Sequence, residues 1–323
     1  MKFKSDQQML WILGAVVAGL VIASLIGYIL ARRAESDERR ASIDNLNARI
    51  RAWWIMIAIF TISFVIGPAG SMLLFAFISL LALREYVSLI SSTRADHRTL
   101  VWAFFVFNPL QYWFWYEGWY GLAIILIPVY AFLFVPIRLA LAGEVGGFLD
   151  RAARIQWGLM VCVYCISYAP ALLTLEIPGY FHQDAKLLLF LVIVVQLSDV
   201  FQYVWGKLLG KRKIAPAISP HKTWGGFVGG VATAVALGTG LWWMTPFSPL
   251  QALGMSFAIA LMGFAGGLTM SAIKRDRGVK DFGHAIEGHG GILDRMDSIC
   301  FSAPLFFHLT RWLFVSRHPI WWP

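Results

Sequence analysis

The sequence predicts an all-α, polytopic membrane protein, and three features carry that prediction. Hydrophobic residues make up 59% of the 323 positions and charged residues 14%, a balance that a water-soluble domain of this length does not need. The apolar residues fall in long runs such as 187–197 and 227–243, whereas a membrane β-barrel would alternate apolar and polar positions. Short blocks of Lys and Arg separate the runs. Lipid offers the backbone no hydrogen-bond partners, so such segments must close their own bonds as helices.

About ten spans are expected, at roughly 9–31, 52–66, 69–84, 100–116, 118–137, 155–175, 185–206, 225–244, 249–270 and 298–315. The first is too long for a signal-peptide core and lacks a small-x-small cleavage pattern before Arg32, so it reads as a retained anchor. Residues 32–51 mix both charge signs and read as a solvated helix or surface linker touching lipid headgroups. The second and third spans are separated only around Gly67 and Pro68, and read as two helices with a tight turn rather than one broken helix. Charge supports that division. With the N-terminus outside, connections 32–51, 84–99, 138–154, 207–224 and 271–297 all face the cytoplasm and hold most of the basic residues, while the opposite connections hold none. Merging the pair would move the six Arg of 32–51 to the other side.

The aromatic cluster 112–120, YWFWYEGWY, reads as a membrane-interface belt rather than a ligand cage. Cys162 and Cys165 form a C-x-x-C with no His nearby; with Cys300 they read as packing cysteines, not zinc ligands. The net charge of +9 lies in blocks between apolar runs, which argues for topology and phosphate contacts and against nucleic acid. The expected organisation is an anchor and linker (1–51), N-terminal transmembrane helices (52–185) and a C-terminal region with the chemistry (186–323).

Two connections stand out. In the first, Asp199 follows an apolar run, where an acid is costly unless it meets a cation, a metal or water; pairing with Lys207 or Arg212 is the structural alternative. Gly206, Gly210 and Pro216 are expected to break the helix, and Lys207, Lys211, Arg212, Lys213 and Lys222 bring five cations to the surface. The resemblance of 206–211 to a P-loop fails on spacing and on the missing Ser or Thr. The run 219–226, SPHKTWGG, offers hydroxyls, a Lys and a helix N-terminus suited to anions, with Thr223 as N-cap.

The second connection, 274–297, reads KRDRGVKDFGHAIEGHGGILDRMD, with ten charged residues and five glycines in 24 positions. Lys274, Arg275, Arg277 and Lys280 supply positive charge, while Asp281, Asp294 and Asp297 supply hard oxygen ligands. Asp294 and Asp297 are three apart and share a helix face, an arrangement suited to Mg²⁺, which takes one or two carboxylates and leaves its other positions to water and phosphate. Gly288, Gly290 and Gly291 allow close backbone approach, with His289 between them as a donor. A polyphosphate and metal site at a lipid surface suggests phosphoryl or nucleotidyl transfer, in which positioning and charge neutralisation dominate.

These residues resemble the signature of the CDP-diacylglycerol synthases, or phosphatidate cytidylyltransferases. Its pattern S-x-x-K-R-x-x-x-x-K-D, a small residue two further on, then H-G-G-x-x-D-R-x-D is met by Ser271, Lys274, Arg275, Lys280, Asp281, Gly283, His289, Gly290, Gly291, Asp294, Arg295 and Asp297. An upstream family segment is similar at Asp199, Tyr203, Gly206, Gly210, Ser219, Pro220, Lys222, Thr223, Trp224 and Gly226. The resemblance implies a multi-pass enzyme of the inner (plasma) membrane with its site facing the cytoplasm. It would join CTP and phosphatidic acid into CDP-diacylglycerol and pyrophosphate in phospholipid biosynthesis, with Mg²⁺ required and room left for a second cation and for a homodimer. Lys274, Arg275, Lys280, Asp281, His289, Asp294, Arg295 and Asp297 would be catalytic; Asp199, Ser219, Lys222, Thr223, Ser271, Gly290 and Gly291 would bind substrate; Asp294, Asp281 and Asp297 would hold metal.

Four positions depart from the pattern: Gly267 for an Asp, Gly225 for a Glu, Glu287 for a Pro and His221 for a Lys. Glu287 is a candidate to restore a lost acid. The rival expectations are a CTP-dependent lipid kinase of the polyprenol type and a catalytically degenerate membrane assembly or regulatory subunit.

Overall fold

Helices form most of the computed structural model, which describes residues 7–32, 36–90, 93–181, 183–286 and 290–315. Helix α1 covers Gln7–Arg32, and α2, Asp37–Ile66, carries the mixed-charge segment straight into a span. Only Gly67, at φ 98° and ψ −160°, separates α2 from α3, Pro68–Leu89. Glycine tolerates that conformation, and Pro is suited to the first helical turn, where its missing N–H leaves no gap. The expected two helices with a tight turn are thus found.

Helices α4 (94–116), α5 (Tyr120–Ala140) and α6 (Phe148–Thr174) each contain a π-helical turn, at Ala103–Phe107, Leu126–Ala131 and Met160–Cys165. Helix α7, Asp184–Leu209, passes through Gly206 and ends at Gly210, so Gly206 does not break the helix as expected. The all-α expectation has one small exception: strands β1, Lys213–Ala215, and β2, Ser219–Thr223, form an antiparallel hairpin. Helices α8 (Trp224–Gly240), α9 (Pro249–Asp276), α10 (Leu293–Met296) and α11 (Ile299–Phe314) follow.

Seven helices among the described residues are long and apolar enough to cross a membrane. The other three expected stretches are helical too, within α4, the 17-residue α8 and the 16-residue α11. One hydrophobic core runs through both halves of the chain. Trp115 packs edge-on to Tyr168 and Phe307, with ring centroids 5.2 and 5.1 Å away. The 112–120 cluster is therefore divided: Tyr112 and Trp115 are core, while Trp113, Tyr116 and Trp119 face outward as a belt would. Inside this half Gln111 donates to Ala123 O and Ser167 Oγ, and Trp115 Nε1 donates to Ser167 Oγ. Cys162 and Cys300 are buried and all three thiols are free, as packing cysteines should be.

The α7–α8 contact positions the site. A Cβ on Gly226 would lie 2.6 Å from Gln202 O, and one on Gly230 2.6 Å from Gln202 N. Such glycines let two backbones meet. The hairpin folds back so that the first turn of α8 meets α7 at Gly206, before α7 has ended.

Candidate active site

A cavity of about 320 Å³ lies between α7, the β2–α8 junction, α9 and the α10–α11 junction. Eight expected residues line it: Asp199, Ser219, Lys222, Thr223, Ser271, Asp294, Arg295 and Asp297. Asp199 lies about 15 Å from the end of α7 at Leu209, at 1.5 Å per residue. The floor is therefore deep in the bundle rather than on a loop, and the hairpin's return brings Lys222 down to it. Thr223 caps α8 by accepting a 3.1 Å hydrogen bond from Gly226 N, as its position before the helix predicted.

Lys222 Nζ stands 4.8 Å from the Phe264 ring centroid and 2.9 Å from where a Gly267 Cβ would be. The absent side chain at 267 makes room for this ammonium. Burial pulls the Lys222 pKa down, and the nearby Asp199 and Asp297 carboxylates oppose that shift. The Asp297 carboxyl is held above the ordinary range, chiefly by burial, with Lys274, Lys222 and Arg295 pulling the other way. Asp199 accepts a 2.9 Å hydrogen bond from Ser298 Oγ, and Asp297 accepts one of 2.7 Å from Ser298 N. Ser298 thereby holds the two acids in register.

Asp294 has a different placement. Its Oδ1 pairs with Lys274 Nζ at 2.7 Å, and its Oδ2 accepts from Phe282 N at 2.8 Å and Gly291 N at 3.0 Å. Both oxygens are engaged, fastening Phe282 and Gly291 to α9 through Lys274. The structure thus brings Lys274 to the cavity edge through Asp294. Arg275 instead ties the end of α9 to the hairpin and the following turn, donating to Ile218 O and Val279 O. Lys280 is exposed, and Lys280, Asp281, Gly290 and Gly291 do not line the cavity. Gly290, at φ 80°, shapes the loop beside Asp281 and Asp294. His289 and Glu287 lie outside the described residues.

Among the described residues no three His, Cys, Asp or Glu side chains gather to hold a metal unaided. Asp199 and Asp297, adjoining in one polar cavity, match the one or two carboxylates that Mg²⁺ takes when phosphate oxygens supply the rest. One cavity wall is Tyr203, 62% exposed, with Lys207 Nζ 4.9 Å from its ring. Gln202, Phe227, Phe264 and Ser298 also line the cavity and carried no sequence signal.

Sequence reasoning also missed Glu85 of α3. Its Oε1 and Oε2 accept from Ile292 N and Leu293 N, both at 2.9 Å, at the start of α10. A Cβ on Gly291 would lie 2.4 Å from Glu85 Oε2, and one on Gly283 2.7 Å from Oε1. Those two glycines thus make room for a carboxylate of the protein itself.

The sequence model of the Cytidylyltransferase family matches residues 47–313. The chain belongs to that family. As a member of the cytidylyltransferase family it is 39% identical over 305 residues to the Escherichia coli (strain K12) protein named "Uncharacterized protein YnbB", covering 93% of this chain and 97% of that one. It is also 32% identical over 212 residues to the phosphatidate cytidylyltransferase of Bacillus subtilis (strain 168), covering 65% of this chain and 75% of that protein. With the phosphatidate cytidylyltransferase of Staphylococcus aureus (strain COL) the identity is 40% over 120 residues, or 36% of this chain and 46% of the relative. A multi-pass cytidylyltransferase-family protein is the identity these matches and the apolar helices establish together.

Proposed function

We propose that this protein transfers the cytidylyl group of CTP to phosphatidic acid, giving CDP-diacylglycerol and pyrophosphate. The observation that carries the reading is the cavity in which Lys222 and Arg295 are set against Asp199, Asp294 and Asp297, with Lys274 paired to Asp294 beside it, within a family that includes relatives named phosphatidate cytidylyltransferases. An oxygen of the lipid phosphate attacks the α-phosphorus of CTP, and the bond from that phosphorus to the pyrophosphate oxygen breaks. The attacking phosphate is already ionised, so no general base is needed. Lys222, Lys274 and Arg295 offset the charge of two anions brought together, and the helix N-terminus at Thr223–Gly226 favours phosphate. Asp199 and Asp297 would hold Mg²⁺, which when bound neutralises charge on the departing pyrophosphate. On this reading the site faces the cytoplasm from the inner membrane, a proposal supported by the basic residues in the connections on that side.

The test uses CTP labelled at either the α- or the γ-phosphate, with phosphatidic acid in detergent. Label from the α-position in the lipid, with release of pyrophosphate and loss in Asp297→Asn, is the expected result. Lipid label from the γ-position with release of CDP would assign a CTP-dependent lipid kinase. Label from neither, with intact protein, would leave the assembly-subunit role.

A further inference from the structure

We infer that Glu85, in the N-terminal half of the chain, is a positioning residue that holds the start of α10 at Ile292 and Leu293 and thereby sets the cavity residues that follow it. The inference rests on the cytidylyl-transfer reading for its kinetic consequence, but its structural part stands alone. The short helix α10 begins with backbone N–H groups that have no intrahelical partner, and the two Glu85 oxygens accept two of them, from Ile292 and Leu293. Ile292, at the N-cap position, makes no side-chain cap hydrogen bond of its own. Asp294, one residue beyond Leu293, grips the preceding loop from the other side through Phe282 N and Gly291 N. Phe282 and Gly291–Leu293 are therefore held between the Glu85 carboxylate of α3 and the Asp294 carboxylate of α10. Arg295 and Asp297, which line the cavity, follow directly on this clamp.

Gly283 and Gly291 are the complementary half of the arrangement, because a methyl group at either would displace the Glu85 carboxylate. Loss of Glu85 leaves two amides unpartnered and frees the loop to shift relative to α7, which carries Asp199. Partners that orient active-site ligands typically account for about 10–100-fold in affinity or activity, and that is the range expected here.

The experiment compares the native full-length protein with Glu85→Ala, Glu85→Gln, Gly291→Ala and the Glu85→Ala/Gly291→Ala double variant, all in detergent. Hydrogen exchange is followed over 290–297, with α8 and α9 as internal references, and kcat, KM for CTP and the Mg²⁺ dependence are measured in parallel. Faster exchange confined to 290–297 is expected in Glu85→Ala and Gly291→Ala, and a smaller rise in Glu85→Gln, which keeps one acceptor. Turnover should fall about 10–100-fold, with a shifted KM or Mg²⁺ dependence. The second substitution should add little to the first, since both undo one contact. Unchanged exchange at 290–297, faster exchange with unaltered kinetics, or exchange raised equally in all helices would overturn the inference. A native chain that labels no lipid overturns the cytidylyl-transfer reading, and the exchange comparison still decides whether Glu85 holds the loop.

Discussion

Burial sets the behaviour of Asp297, whose carboxyl is held above the ordinary range. A raised folded-state value means that the ligand-free fold binds this proton more tightly than the unfolded chain does. The stabilising contribution is therefore present below the ordinary carboxylate range and is lost as pH rises through the raised value. We expect the thermal midpoint of the ligand-free protein to decline across that window, and the decline to flatten in Asp297→Asn. A divalent cation competes with the same proton, so its apparent affinity should climb with pH over the same interval. The spacing of Asp294 and Asp297 was legible in the sequence, because three residues place two side chains on one helix face. Their division of labour was not: Asp294 is engaged by Lys274 and two amides, and Asp297 adjoins an acid on α7. Glu85 left no trace beyond an acid near the end of an apolar helix, since its partners lie more than 200 positions away.

At the scale of the element, the α7–α8 contact makes an unambiguous demand on side-chain size. Gly226→Ala should cost about 1–3 kcal/mol through overpacking against Gln202. Gly254→Ala, in an α9 position with nothing within 4 Å of the added Cβ, should be neutral or stabilising by up to about 1 kcal/mol through helix propensity. Thermal melting of the two variants in one detergent checks both. Most helices were legible because an apolar run and its charged flanks mark them, and Gly67 with Pro68 marked the α2–α3 turn. Three kinds of detail were hidden. The π-turns in α4, α5 and α6 have the same apolar composition as the α-helix around them. Strands of three and five residues are too short for an alternating pattern to register. Gly206 read as a helix breaker because single-chain reasoning cannot see that α8 packs against it.

For the whole molecule, the two halves share one core, and the candidate site belongs to both: the cavity is lined by the C-terminal helices, while the loop behind it is tied to α3. The resemblance carried by residues 199–297 pointed to the first half of that statement and was silent on the second. If the exposed wall at Tyr203 is where the lipid enters in the proposed reaction, it has a kinetic consequence. A substrate that reaches the cavity past this ring never leaves the bilayer, so its relevant concentration is two-dimensional. For the proposed reaction, turnover in mixed micelles should follow the surface mole fraction of phosphatidic acid and fall when inert detergent is added at constant bulk concentration; dependence on bulk concentration alone would contradict this. For a catalyst of that kind, crowding by other anionic lipids would become competitive dilution within a plane, and the composition of the surrounding leaflet, more than the total amount of lipid, would set the rate.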